Sequence, residues 1–171
     1  VLIKPNYAEA YYNLGLTQHD KGDLKAAIGS YNDALKIKPE YAEAYNNMGN
    51  AQKGEGDLDA SINSYKRSIK IKPDYANAYY NMGNALKDKG ELEAAVVYYK
   101  QAVKITPNYF EAYSNMGVAL KDNGLLEAAI DCYQRVLKIN PNYAEAHFNM
   151  GIAFLDKGDQ ETAMECYTRA I

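Results

Sequence analysis

Histidine and cysteine are nearly absent, two of each in 171 residues, which leaves little material for metal or nucleophile chemistry. No HExxH, no CxxC and no EF-hand run occurs, so the spacings of an ordinary metal site are missing. The 22 acidic and 19 basic residues are interleaved with no run of five like charges, and the net charge is −3. That balance lacks the electrostatic footprint of a nucleic-acid binder. No long apolar run is present, which excludes a transmembrane helix within this stretch, and membrane partners are not expected. The chain begins with Val1 rather than Met, so the lack of a signal peptide says little about the parent protein.

Proline is scarce but placed with regularity. Pro5, Pro39, Pro73, Pro107 and Pro141 stand 34 residues apart, and glycines keep the same beat at Gly15, Gly49, Gly83, Gly117, Gly151 and at Gly22, Gly56, Gly90, Gly124, Gly158. A fixed period of this size marks a repeat array, in which each unit buries its apolar face against copies of itself. Val1 to Tyr7 align with Leu35 to Tyr41, and Ile171 aligns with Leu137, so both ends fall inside a repeat. The expected organisation is a single array over residues 1–171. Residues 1–7 end a preceding repeat, repeats follow at 8–41, 42–75, 76–109 and 110–143, and 144–171 is a truncated last one. Such an array looks excised from a longer chain, with apolar surface around Leu2, Ile3 and Ile171 open to end-to-end self-association.

Two amphipathic helices fit each period. In the first copy Tyr7, Ala10, Tyr11, Leu14 and Gly15 share a face, and after Gly22 so do Leu24, Ala27, Ile28, Tyr31, Ala34 and Leu35. The spacing predicts helices over about 7–21 and 24–37, with equivalents every 34 residues. Asn6, Glu40, Asp74, Asn108 and Asn142 stand where a first helix begins. Three residues later come Glu9, Glu43, Asn77, Glu111 and Glu145, which in three copies makes an Asn-x-x-Glu capping box. Gly22 and its equivalents suit the left-handed residue that ends a helix, and Asp23, Asp57, Glu91 and Asp159 suit the start of the next. The prolines close each second helix. Gly15, faced by Ala27 and Ala34, lets two helices approach, while Tyr11 and Tyr31 fill the gaps beside it.

The residues Tyr11-x-x-Leu14-Gly15, Ala27-x-x-x-Tyr31-x-x-Ala34 and Pro39 recur five times and resemble the 34-residue motif of tetratricopeptide repeats, with Tyr in place of Trp. The resemblance implies an all-α fold, an α-solenoid of helix pairs winding into a right-handed superhelix, whose concave face is lined by the first helix of each pair. Asn81-Met-Gly-Asn-Ala-Leu-Lys-Asp-Lys-Gly90 and Asn115-Met-Gly-Val-Ala-Leu-Lys-Asp-Asn-Gly124 are similar, further, to the arrays that precede the catalytic half of O-linked N-acetylglucosamine transferases.

No constellation for catalysis emerges, and no enzymatic activity, cofactor or metal is expected. His19 and His147 lie four repeats apart, roughly 30–40 Å if each repeat advances one helix spacing. His147 takes the place of Tyr11, Tyr45, Tyr79 and Tyr113 and reads as a packed side chain. His19 takes that of Lys53, Lys87 and Lys121 and reads as surface. Gly49-Asn-Ala-Gln-Lys-Gly54 has phosphate-loop glycine spacing but continues Glu55-Gly56 inside a helical segment. Cys132 and Cys166 occupy the same place in adjacent repeats, too far apart for a disulfide, and read as reduced core residues in a cytoplasmic setting.

Binding remains. Asn13, Asn47, Asn81, Asn115 and Asn149 form an unbroken row at the period, with Asn50 and Asn84 as further concave candidates. A carboxamide both donates and accepts, so it can meet the backbone of an extended peptide without reading its side chains. A repeat advance of roughly 10 Å matches about three residues of extended chain. In the transferase family this asparagine ladder looks like the substrate-polypeptide track, as the resemblance implies. The alternative is that the asparagines keep the groove solvated or bond neighbouring backbone. The carboxylate clamp of chaperone-binding tetratricopeptide domains needs Lys and Arg where this chain has Tyr12, Leu16, Asn77 and Asn81. The sequence therefore points to a protein-binding module or scaffold for an extended protein or peptide segment. Two alternatives stay open: the recruiting half of a transferase whose catalytic domain lies outside this chain, and a structural, self-associating array.

Overall fold

The computed structural model describes residues 7–171. Asn6 and the apolar residues Leu2 and Ile3, singled out above, lie outside the described residues. Those described form ten α-helices and no strand: α1 (Tyr7–Asp20), α2 (Leu24–Ile37), α3 (Ala42–Gly54), α4 (Leu58–Ile71), α5 (Ala76–Asp88), α6 (Leu92–Ile105), α7 (Phe110–Asp122), α8 (Leu126–Ile139), α9 (Ala144–Asp156) and α10 (Gln160–Ala170). The helices follow the 34-residue period, and the all-α helical-repeat solenoid expected from it is what is found. The chain forms two compact units, one running to Lys89 with α1–α5 and one running from Gly90 to Ile171 with α6–α10. Inside each unit every helix packs on the next, and alternate ones also touch: α1 on α3, α3 on α5 and α7 on α9.

The joint inside each helix pair is a three-residue device. Gly22 has φ of +80°, its N–H donates to His19 O at 2.9 Å, and the Asp23 N–H donates to Gln18 O at 2.9 Å. This is the Schellman closure, and only glycine adopts that φ without strain. The Asp23 carboxylate then accepts from Ala26 N–H at 3.2 Å and opens α2. Asp57 and Asp159 repeat the cap on Ala60 and Thr162. Glu91 and Leu125 begin α6 and α8 without a side-chain cap.

Among the described residues, the capping box expected at Asn108 and Asn142 does not form. Tyr41, Tyr75, Tyr109 and Tyr143 are the N-caps and make no side-chain cap bond. The reason is a turn just before the helix: Tyr75 N–H closes on Lys72 O at 3.1 Å, with Tyr109 and Tyr143 doing the same on Thr106 and Asn140. Asp74, Asn108 and Asn142 sit inside that turn, one residue too early to cap. Glu43, at the same place in its repeat, pairs with Lys72 at 3.2 Å.

Packing centres on a tyrosine ring laid against a helical glycine. A Cβ added to Gly15 would stand 2.6 Å from Cε1 of Tyr31, and a Cβ added to Gly49, Gly117 or Gly151 would stand the same 2.6 Å from Cε1 of Tyr65, Tyr133 or Tyr167. The glycine is therefore a seat for the ring rather than a point of backbone contact beside it. Tyr31, Tyr65 and Tyr133 are wholly buried, as are Ala27, Ala95, Ala129 and Ser61 along the second helices. The other side of each first helix meets the preceding second helix, which covers Ala44 and Met48 on α3 and Ala146 and Met150 on α9. On α1 the equivalent Tyr7, Ala10 and Leu14, grouped above with the packing face, are exposed, so there Ala8, Tyr12, Gly15 and Leu16 carry the packing.

Whether the seated tyrosine satisfies its hydroxyl depends on one neighbour. Tyr65 O–H donates to Asn50 Oδ1 at 2.8 Å, whereas the buried hydroxyls of Tyr31 and Tyr133 have no partner. The position of Asn50 holds Leu16 and Val118 in those two repeats, and neither side chain can accept. Burial pushes the Tyr31 hydroxyl up to about 12, and holds those of Tyr65 and Tyr133 well above the usual tyrosine value.

Two stability contrasts follow. G49A gains helix propensity but drives a methyl into the Tyr65 ring, and should lose about 1–3 kcal/mol in urea unfolding. G29A, at an exposed position of α2 with nothing within 4 Å of its Cβ, should gain about 0.5–1 kcal/mol. Removing a hydroxyl should discriminate likewise. Y31F and Y133F discard an unpartnered group and should be neutral or stabilising. Y65F deletes a bond and should cost about 0.5–1.5 kcal/mol, read as a fall in thermal midpoint that Y31F and Y133F do not show.

Candidate functional site: the first-helix asparagine row

Each first helix places one asparagine of the row: Asn13 on α1, Asn47 on α3, Asn81 on α5, Asn115 on α7 and Asn149 on α9. Asn13 is exposed and the other four are half-buried. Within the first unit the row is wired. Asn47 Nδ2 donates to the Tyr12 hydroxyl at 2.9 Å, Asn46 Nδ2 donates to Asn47 Oδ1 at 3.1 Å, and Asn81 Nδ2 donates to Asn46 Oδ1 at 3.0 Å. The chain Tyr12–Asn47–Asn46–Asn81 thus spans three successive first helices. Asn46 is only 3 % exposed, so its amide is held by these bonds and not by water.

Each carboxamide has two N–H groups and two acceptor lone pairs, and these bonds do not exhaust them. Asn47 keeps one N–H and one lone pair, and Asn81 keeps one N–H and its carbonyl. Asn50 accepts from Tyr65, so its oxygen already serves the fold while its NH2 remains. Asn84 is half-buried on α5.

Position 46 carries no signal in the periodic pattern. Its equivalents are Tyr12, Asn46, Tyr80, Ser114 and Phe148, which vary in size and polarity, so a search for unbroken rows passes over it. The available signal is a polar or aromatic residue directly preceding every asparagine of the row. Ser114 shows the consequence of shortening: its hydroxyl is buried without a partner.

Around the row the aromatic residues are closely set. The Tyr12 ring lies 4.9 Å from that of Tyr41 and 6.0 Å from that of Tyr31, and the Lys38 ammonium stands 4.1 Å over Tyr41. Burial, then the charge of Glu43, pushes the Tyr12 hydroxyl up, with its bond from Asn47 opposing. The flanking charges are paired: Lys53 with Asp88 at 2.8 Å and Glu43 with Lys72. Partial burial resists ionisation of Glu43, but its own N–H and Lys72 outweigh this and hold its carboxyl below the usual value.

The histidines stay apart from any such row. His147 is buried with Nε2 3.1 Å from Pro141 O, as the equivalent Tyr79 hydroxyl donates to Pro73 O at 3.2 Å, so the packed reading stands. His19 is half-buried. Gly49 to Gly54 lie inside α3. Among the described residues no cluster of His, Cys, Asp or Glu could hold a metal, and no helix is long and apolar enough to cross a membrane.

With this geometry in hand, comparison with known proteins places the fold. TPR repeat matches cover residues 18–56, 53–90, 83–124 and 121–158, and the chain belongs to the TPR repeat family. A crystal structure of MamA protein is 26% identical with a TM-score of 0.89, covering 98% of this chain and 91% of that one. MamA 41-end from Desulfovibrio magneticus RS-1 superposes with a TM-score of 0.89 at 22% identity, over 96% of this chain and 93% of that one. YrrB, described as a TPR protein with an unusual peptide-binding site, is 24% identical with a TM-score of 0.80, over 94% and 83% of the two chains. No curated protein matches the sequence. The fold is thus that of protein–protein interaction scaffolds.

Cys132 and Cys166 are both buried and unlinked, on the second helices of adjacent repeats. Burial pushes the Cys132 thiol up to about 11 and also raises Cys166. Because the thiolate is the reactive form, alkylation of native protein by iodoacetamide at pH 8 should be slow at both, and fast once urea is added. Rapid native labelling of either thiol by mass spectrometry would contradict the packing.

Proposed function

We propose that the chain is a protein-binding scaffold, a single array of five repeats over residues 1–171, which holds an extended polypeptide along its first-helix face. The observation that carries the reading is the wired amide chain Tyr12–Asn47–Asn46–Asn81. Its members are fixed by one another, so their remaining N–H and carbonyl groups are aimed before a ligand arrives, and little ordering entropy is lost on binding. Exposed Asn13 and, in the second unit, half-buried Asn115 and Asn149 carry the same type of group. Amides that face a backbone read no side chains, so the affinity is modest and sequence tolerance broad. The peptide-binding description of the similar YrrB favours the same ligand class.

The test is a fluorescence-anisotropy titration of a library-selected extended peptide against wild type and the triple variant N47A/N81A/N115A. Up to three contacts at roughly 0.5–1.5 kcal/mol per hydrogen bond are removed, so affinity should fall at least about tenfold. Asn47 and Asn81 also have partners within the protein, so some loss of thermal stability is expected, and circular dichroism at the titration temperature must show unchanged helicity. Equal binding by the folded variant would assign the row to the fold alone.

A second reading, self-association, is favoured by the apolar side of α10 and its neighbours. Met164 is 69 % exposed although its equivalents Ile62, Val96 and Ile130 are buried, and Phe148 and Ile171, also exposed, line one hollow with Tyr167. Concentration-dependent mass in sedimentation, without added peptide, would mark that reading.

A further inference from the structure

A second cleft lies between α3 and α4, lined by Tyr45 and Gln52 of α3 and by Ser64, Lys66, Arg67 and Lys70 of α4, with a volume of about 730 Å³. It adjoins a smaller hollow of about 390 Å³ that shares Tyr45, Arg67 and Lys70 and adds Glu40 at its edge. Tyr45 and Asn47 are two residues apart on α3, about 200° around the helix axis, so this cleft opens on the side away from the asparagine row.

Its charge is unlike its surroundings. Several lysines in the first unit have an acidic partner, such as Lys36 with Asp33, Lys53 with Asp88, Lys72 with Glu43 and Lys89 with Asp59. Among the described residues Lys66, Arg67 and Lys70 are in no ion pair. The molecule supplies its own control in the first repeat, where Asp33 holds the place of Arg67 and pairs with Lys36 at 2.7 Å. In α4 the same place carries Arg, which sets like charges at i,i+3 with Lys70, while Lys66 and Lys70 are i,i+4. Both arrangements destabilise a helix. Lys70, in the last turn, is favoured by the helix dipole, but Lys66 and Arg67 lie a turn earlier and are not. The fold does not demand this arginine, because the five repeats hold Asp33, Arg67, Gln101, Arg135 and Arg169 there. The Tyr-Arg-Lys set recurs at Tyr113, Arg135 and Lys138 around a cleft of about 350 Å³, but Asp131 lines it as well and offsets its charge.

We infer that the α3–α4 cleft is a second binding site, which takes an acidic polypeptide segment with carboxylates on Arg67, Lys66 and Lys70 and a side chain against Tyr45. Arginine meets carboxylate with two parallel hydrogen bonds, and the adjoining hollows hold a few side chains rather than a long strand. Three cations on one helix, in a chain of net charge −3, fall short of the basic track that a nucleic acid needs. This site is independent of the first-helix reading and can stand if that one fails.

The probe is a fluorescein-labelled decapeptide rich in Asp and Glu with one central Tyr, titrated by anisotropy, beside its Asn/Gln analogue. Wild type should bind the acidic peptide, with affinity falling as salt rises, and the neutral analogue should not bind. R67D restores the Asp–Lys arrangement of the first repeat, so it should weaken binding by at least about tenfold while the thermal midpoint is unchanged or higher. N47A/N81A should leave this binding unchanged. The proposal is overturned if wild type fails to bind the acidic peptide, if R67D binds it as wild type does, or if the neutral analogue binds equally. It is also overturned if sedimentation with anionic phosphatidylserine vesicles depends on Arg67 while peptide binding does not.

Discussion

Within each unit the described helix pairs are set by a tyrosine ring resting on a glycine of the opposing helix, Gly15 with Tyr31, Gly49 with Tyr65, Gly117 with Tyr133 and Gly151 with Tyr167. A ring this size needs a flat seat, and a helix offers one only where the side chain is missing. The small residues at positions such as Ala27, Ser61 and Ala129 then let the rest of the helix close around it. Fixing that distance fixes where each first helix lies relative to its neighbour, so α1, α3 and α5 come side by side and the amides of Tyr12's chain can meet. Without the seat there is no wired row.

Around these seats, individual polar positions are free to change in pairs. Ser30 donates to Gln18 and Ser64 to Gln52, both at 2.6 Å, while the same two places hold Cys132 with Leu120 and Cys166 with Phe154. A buried hydroxyl needs an acceptor, and a thiol packed as a small apolar group does not. The tyrosine hydroxyls show an incomplete version of the same rule: Asn50 answers Tyr65, but Leu16 and Val118 leave Tyr31 and Tyr133 unanswered. The apolar contact tolerates this because most of what it supplies is ring burial.

The two proposed sites both use polar groups that the packing leaves only partly bonded. In the first unit Asn46, Asn47 and Asn81 are neutral amides bonded to one another, and the ligand proposed for them is a peptide backbone. The α3–α4 cleft carries three unpaired cations, suited to carboxylates. The two differ in what they ask of a ligand, one shape and hydrogen bonds, the other charge.

Repetition makes the fold legible in the sequence. A residue type that returns every 34 positions is held there by the same contact each time, so helix count and the glycine joints follow from spacing alone, whereas the seating of the Tyr31 ring on Gly15 shows only in the packed helices. The asparagine row is visible for the same reason. Position 46 is not, because Tyr, Asn, Tyr, Ser and Phe share no type, and their common place shows only when neighbouring helices are brought together. The capping pattern misplaces the N-caps because a turn closing Lys72 O on Tyr75 N depends on how the chain leaves the previous helix, which a local motif does not encode. Which cations stay unpaired is likewise undecidable from interleaved charges. Lys72 finds Glu43 from 29 residues away, whereas Lys66, Arg67 and Lys70 form no ion pair even with Glu40 at the edge of the adjoining hollow, and only the packed helices determine which charges meet.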